Sequence, residues 1–175
     1  MSGHNKWSKI KHKKASSDAQ KSRVFSRFVK LIQNESKKSG GDTNSPGLRS
    51  AVDSAKKENI PKDNIERAII KGLSLDTKSL VSATYETYGP GGVAIIIEAL
   101  TDNTNRTGAL IKNILTKKGL SLSAPGSASW AFERVGGEWT PKTFIDVGSE
   151  RESLEEIIES LDAQEDVQGV YINAK

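Results

Sequence analysis

The spacing of apolar residues changes character once along this 175-residue chain, and that change limits the fold more than any other feature. From about residue 17 to 73 the apolar positions recur every three or four residues; beyond residue 82 the pattern is mixed, with unbroken and alternating runs between helical stretches. The first pattern lays one stripe along a helix, and the second fills one or both faces of a strand. Both patterns in one chain, in that order, predict an α+β protein: a helical domain first, then strands with helices among them.

In the helical part, Phe25, Phe28, Val29 and Ile32 keep the spacing of one buried face from about Ser17 onward, with Val24 and Leu31 beside them, until Gly40-Gly41 stops the helix. Ser45-Pro46 reads as an N-cap with proline at the first helical position, opening a second helix striped by Leu48, Ala51, Val52 and Ala55. A third starts near Pro61 with Ile65, Ala68 and Ile69 inward and ends at Gly72; Ile60 is placed to staple onto Ile65. The expected organisation is a basic arm over 1–16, a helical domain over 17–73 and a polar linker over 74–82.

From 83 to 175 the pattern predicts a ferredoxin-like domain. The run 93–100, with Ile95, Ile96 and Ile97, has the composition of a buried strand. A helix fits 106–118, with Leu110, Ile111, Ile114 and Leu115 inward. Segments 120–124 and 127–133 alternate, the latter placing Ala128, Trp130 and Phe132 on one face. Thr143, Ile145 and Val147 mark another strand, and Ser149 with Glu152 forms a capping box ahead of Leu154, Ile157, Ile158 and Leu161. Residues 167–172 supply the last strand. The order is β-α-β-β-α-β, the second strand split at Pro125-Gly126, which predicts an antiparallel sheet with two helices on one side.

Charge is distributed as unevenly as the apolar pattern. Residues 1–78 hold 18 Lys/Arg against 8 Asp/Glu, a balance of +10, whereas 79–175 hold 8 against 14, or −6. The first 30 residues carry nine Lys/Arg and only Asp18 as an acid, or +8. A chain polarised in this way presents one end to a polyanion and repels it with the other. An acidic membrane surface would also attract that end, so charge alone does not choose the partner. The chain has no cysteine, which removes disulfides, thiolate metal sites and cysteine nucleophiles together. No apolar run approaches a membrane span, and no apolar stretch follows the basic start as a secretory signal would require, so a cytoplasmic protein is expected.

The sharpest local feature is His4-Asn5-Lys6-Trp7-Ser8-Lys9-Ile10-Lys11-His12-Lys13-Lys14. Lysines neutralise phosphates as mobile point charges and release condensed counterions. Trp7 is placed either to stack on an unpaired base or to pack, with Ile10, on the helical domain. The candidate nucleic-acid contacts are therefore His4, Asn5, Lys6, Trp7, Lys9, Lys11, His12, Lys13 and Lys14. Lys21, Arg23 and Arg27 join them from the polar side of the first helix, where Lys30 also lies. Arg106, at the head of a predicted helix, is a further phosphate candidate, while Asp102, Asn103 and Asn105 beside it are capping types. Tyr88-Gly89-Pro90-Gly91-Gly92 lacks the Lys-Ser/Thr ending of a phosphate loop and precedes a strand, so a tight turn fits it better. Catalysis finds little support: His4 and His12 sit in an arm without a carboxylate cluster to orient them, and Glu152, Glu155, Glu156 and Glu159 read as a solvated helix face. No cofactor, metal or small-molecule substrate is expected.

Several segments together resemble the YebC/PmpR family: Gly3 to Trp7 and Lys13-Lys14-Ala15; Leu48-Arg49 with Asn59 through Ile69; Tyr88 through Val93; Leu100 to Asn103 with Asn105-Arg106-Thr107; and Glu165 through Tyr171. They span nearly the whole chain in order. The resemblance implies a DNA-binding transcriptional regulator of the cytoplasm or, as for the mitochondrial translational activator of cytochrome oxidase, a translation factor contacting ribosomal RNA on the ribosome. One departure stands out. Similar proteins carry a third α/β domain inserted between segments like 127–134 and 141–147, and here only Val135-Gly136-Gly137-Glu138-Trp139-Thr140 joins the two.

Overall fold

The computed structural model describes residues 18–175, with side chains from residue 21 onward. They form two compact units, 18–81 and Ser82–Lys175. The nine lysines, histidines, asparagine and tryptophan singled out between His4 and Lys14 lie outside the described residues.

The first unit is three helices: α1 (Asp18–Ser39), α2 (Pro46–Lys57) and α3 (Lys62–Gly72). Their stripes meet in one core of Ile32, Leu48, Ala51, Ala55, Ile60, Ile65 and Ala68, edged by Phe25, Phe28, Val29 and Ile69. Ile60 and Ile65 share that core, as the staple requires. Ser45 does precede α2, with Pro46 as its first residue, but the Ser45 hydroxyl makes no capping bond. α1 and α3 pack closely at Gly72, where a Cβ would fall 2.5 Å from the Gln33 carbonyl oxygen. The Ser36 hydroxyl reinforces the contact by donating to the Ile69 carbonyl at 2.7 Å. The polar stretch after α3 is fastened to this unit. Lys37 donates to the Thr77 carbonyl, Thr77 Oγ1 donates to the Lys71 carbonyl at 2.6 Å, and the Leu80 amide donates to Asn34 Oδ1 at 3.2 Å.

The second unit is α+β, as the sequence pattern predicts, with a four-stranded sheet in the order β3-β1-β2-β6. The strands are β1 (Val81–Tyr88), β2 (Ala94–Thr101), β3 (Leu122–Ser123) and β6 (Val167–Ile172), with α4 (Thr104–Lys117) and α5 (Arg151–Asp162) between them. β4 (Phe132–Val135) and β5 (Glu138–Pro141) form a separate antiparallel hairpin. Alternate residues of β2 serve different cores, which explains its unbroken apolar run. Ile95 and Ile97 meet Ile111, Leu115, Leu154, Ile157 and Leu161 of the helices, while Ala94 and Ile96 meet Ala128, Ala131 and Phe132 beside the hairpin.

Four local expectations are corrected. β1 was read in part as linker; its Val, Thr and Tyr residues favour a strand, but the polar Ser82, Thr84, Glu86 and Thr87 hide the usual apolar alternation. Thr143 to Val147 is not a strand of the sheet: it makes one parallel bridge, Ile145 with Ala174, and then turns as the Gly148 amide donates to Asp146 Oδ1. The capping box at Ser149 and Glu152 is absent, because Gly148–Glu150 is a 3-10 turn running straight into α5. Trp130 does not share an inward face with Ala128 and Phe132; a 3-10 turn at Ser129–Ala131 rotates it outward, 57% exposed.

Candidate nucleic-acid interface

Within the described residues the candidate surface begins on α1. Arg23, Arg27 and Lys30 follow i, i+4, i+7 spacing and line one stripe away from Phe25, Phe28 and Ile32. Lys21 and Arg23 are exposed, whereas Arg27 and Lys30 are partly covered. The exposed cations Arg49, Lys56, Lys57, Lys62 and Lys71 of α2 and α3 add to the field of this unit. Two of them sit beside acids of their own helix, Lys56 near Asp53 and Lys62 near Glu66, at separations of 4.0 and 3.5 Å. Exposed pairs of that kind are worth little and leave the cations accessible.

Arg106 is placed differently. Its Nη2 donates to Asp102 Oδ1 at 2.8 Å and to Asp166 Oδ2 at 3.0 Å. Its hydrogen bonds to Asp166 and then to Asp102 raise its already high pKa. Asp166 is buried and also accepts from the Thr107 hydroxyl at 2.7 Å and the Thr101 hydroxyl at 3.2 Å. Asn103 caps α4 by accepting from the Arg106 amide at 3.0 Å, as its residue type suggests. The segment 101–107 is thus a knot that ties the head of α4 to the loop before β6. Both carboxylates engage Nη2, and the Arg106 side chain remains 49% exposed.

The segment that carries Trp130 is organised by a residue that the sequence reading passed over. Glu86 points from β1 into the loop after β3, where its carboxylate accepts from the amides of Gly126 at 2.8 Å, Ala128 at 2.7 Å and Ser129 at 2.9 Å. Burial pushes this carboxyl up, but those donors outweigh burial and hold it below its ordinary value. Trp130 Nε1 donates to the Tyr88 hydroxyl at 2.8 Å, and Tyr88 in turn donates to the Ser127 carbonyl. On the neighbouring hairpin, Glu98 accepts from Trp139 Nε1 at 3.0 Å and from Arg134, whose guanidinium lies 4.2 Å from the Trp139 ring centre. None of these pairings leaves a periodic trace. No local signal marks Glu86, because the amides it binds lie 40 to 43 residues further along the chain.

Family comparison decides the lineage. The family model for the TACO1/YebC protein N-terminal domain matches residues 5–74, and the model for the TACO1/YebC second and third domain matches residues 80–137. The chain belongs to the TACO1/YebC family. A relative from Citrifermentans bemidjiense, named a probable transcriptional regulatory protein, is 48% identical over 145 residues, covering 82% of this chain and 59% of its own length. One of the same name from Dictyoglomus thermophilum is 46% identical over 172 residues, covering 96% of this chain and 67% of its own. The crystal structure of a conserved hypothetical protein from Aquifex aeolicus superposes with a TM-score of 0.77 at 26% identity, covering 90% of this chain and 91% of that one. This member of the TACO1/YebC family thus spans only about 59% of the length of relatives such as the first. The second match ends at Gly137, in the β4–β5 turn. Gly136 and Gly137 both have positive φ, 60° and 87°, so a two-residue turn closes the chain there.

Proposed function

We propose that this TACO1/YebC protein is a non-enzymatic, cytoplasmic, DNA-binding transcriptional regulator whose contacts run from the basic arm onto α1. The observation that carries the reading is the +8 balance of the first 30 residues, of whose cations Lys21 and Arg23 stand exposed on α1. The relatives' name, probable transcriptional regulatory protein, points the same way. Lys6, Lys9, Lys11, Lys13 and Lys14 neutralise phosphates, His4, Asn5 and His12 add hydrogen bonds, and Arg106 serves as a positioning residue. A second reading, a translation factor contacting ribosomal RNA, is favoured by one detail of α3. Arg67 is turned onto Asn64 and the Asp63 carbonyl, so the side-chain types that read base edges on that helix engage one another.

The test is a salt series with a labelled DNA duplex and a single-stranded RNA of equal length. If five phosphates are neutralised, log affinity on duplex changes by roughly −4.5 per log unit of salt, and by roughly −3.5 on the single strand. Replacing Lys9, Lys11, Lys13 and Lys14 with alanine is expected to weaken binding to every sequence and to reduce the slope. A folded four-lysine variant with unchanged affinity and slope would refute the arm as the site. Tighter binding of RNA than of duplex at equal salt would favour the second reading.

A further inference from the structure

We propose that Trp130 is a stacking platform for an unpaired nucleobase, a contact separate from the phosphate-binding arm. The inference rests on the nucleic-acid reading above and assigns a base-binding role to the second unit. A tryptophan with 57% of its surface in solvent fills no core here, since Ala128, Ala131 and Phe132 on either side of it do that. Its orientation is nevertheless fixed. The indole N–H is engaged by Tyr88, Tyr88 is held by the Ser127 carbonyl, and the loop is pinned by the three amides on the buried Glu86 carboxylate. A carboxylate taken out of water to order an exposed loop makes sense where the loop must present something rigidly, because a ring already in its bound orientation loses little entropy on binding.

The chemistry offered is narrow. With its N–H already given to Tyr88, the exposed indole has no donor left to offer, which suits a flat aromatic partner without a hydrogen-bond demand. Lys142, whose amide donates to the Ala131 carbonyl at 2.8 Å, roots an exposed cation beside the turn. The surrounding hairpin is mixed in sign, with Glu133 and Glu138 exposed as well as Arg134. This surface therefore does not attract a strand by charge; what it offers a strand is a ring on which one base can stack. Stacking of this type tolerates any sequence and requires an unpaired base, because paired bases present no free face.

The full chain is titrated with a labelled oligouridine and with a labelled duplex of equal length, each at two salt concentrations. Trp130→Ala is expected to weaken oligouridine binding by roughly 5- to 150-fold with the salt slope unchanged, and to leave duplex affinity within about twofold. Trp130→Phe is expected to restore most of the loss, and Trp130→Leu, which keeps apolar area without a stacking ring, to restore little. Leucine and alanine variants that unfold at the wild-type temperature yet bind oligouridine like wild type would overturn the inference alone. Equal loss on oligouridine and duplex would also overturn it. Failure of the wild-type chain to bind either probe would overturn the nucleic-acid reading and this one with it. Sedimentation of the same variants covers a further occupant: a wild-type dimer that Trp130→Ala dissociates would mean that a second copy covers the ring, and the inference would fall.

Discussion

Removing the Glu86 carboxylate is expected to loosen the loop that bears Trp130 more than any surface substitution can. The carboxylate receives three backbone amides at 2.7 to 2.9 Å, and only 7% of the residue is exposed. Hydrogen bonds to a charged acceptor contribute about 1.5–3 kcal/mol each, and a buried donor left unpaired costs about 1–3 kcal/mol. Gly126 lies at the exposed end of the loop and can turn to water, whereas the Ala128 amide is buried and cannot. Counting mainly the two inner donors gives a loss of about 3 kcal/mol for Glu86→Ala. Glu86→Gln keeps one accepting oxygen but turns an N–H toward a donor, for a loss of about 1.5 kcal/mol. The sign of the pH dependence follows from the lowered pKa. The contribution is fully present above the ordinary value of 4.5 and is lost as pH falls through the lower folded value. Urea unfolding followed by tryptophan fluorescence, at pH 7 and again near pH 3, measures both. A Glu86→Ala protein within about 0.5 kcal/mol of wild type at pH 7 would refute the cradle. So would a wild-type advantage over Glu86→Gln that persists undiminished at pH 3.

Two other substitutions test the frame around the candidate surfaces. Gly72→Ala would force its Cβ against the Gln33 carbonyl oxygen at 2.5 Å and the Ser36 Cβ at 2.8 Å, so the helical unit is expected to lose about 1–3 kcal/mol in a urea melt followed by circular dichroism. Arg106→Ala frees Asp102 and Asp166 from their common cation and is expected to lower the melting temperature while leaving the salt slope of duplex binding unchanged; a slope reduced by about one would return Arg106 to the phosphate contacts.

The parts of the fold legible in the sequence are those where burial is one-sided or complete. Ile32, Leu48 and Ile65 lie on single faces of long helices, and their spacing reports that directly. Ile95 to Ile97 are buried on both sides of a sheet, and continuity of apolar residues reports that too. β1 escaped because a polar residue is buried on each of its faces for a reason that no period encodes: Glu86 binds amides from one, and Thr87 donates to the Ser121 carbonyl at 2.8 Å from the other. Trp130 escaped because a 3-10 turn shifts the alternation by a fraction of a residue, and only a backbone trace reveals which way a ring then faces. Arg106 shows the converse limit. Its position at a helix head suits a phosphate, but its ion pair with Asp166, 60 residues away in sequence, could not be read from that position.

The short β4–β5 turn is built so that a domain placed at this point would leave the strands below it undisturbed. The strands below the turn are held without help from it. Arg134 stacks on Trp139, Phe132 meets the Trp139 ring edge-on at 6.4 Å between centres, and Glu98 of β2 accepts from both Arg134 and Trp139. Val135 and Glu138 are therefore brought side by side by contacts that lie on the sheet side of Gly136 and Gly137. A chain that leaves after Val135 and returns before Glu138 finds its two ends already fixed at strand separation, so the closure entropy of whatever lies between grows only slowly with its length. The framework of Glu86, Tyr88 and Trp130 depends on residues before Val135, and its geometry has no reason to differ between a protein with the insert and one closed by two glycines. That independence would let a whole domain be gained or lost at this turn while the surface beside it kept its shape.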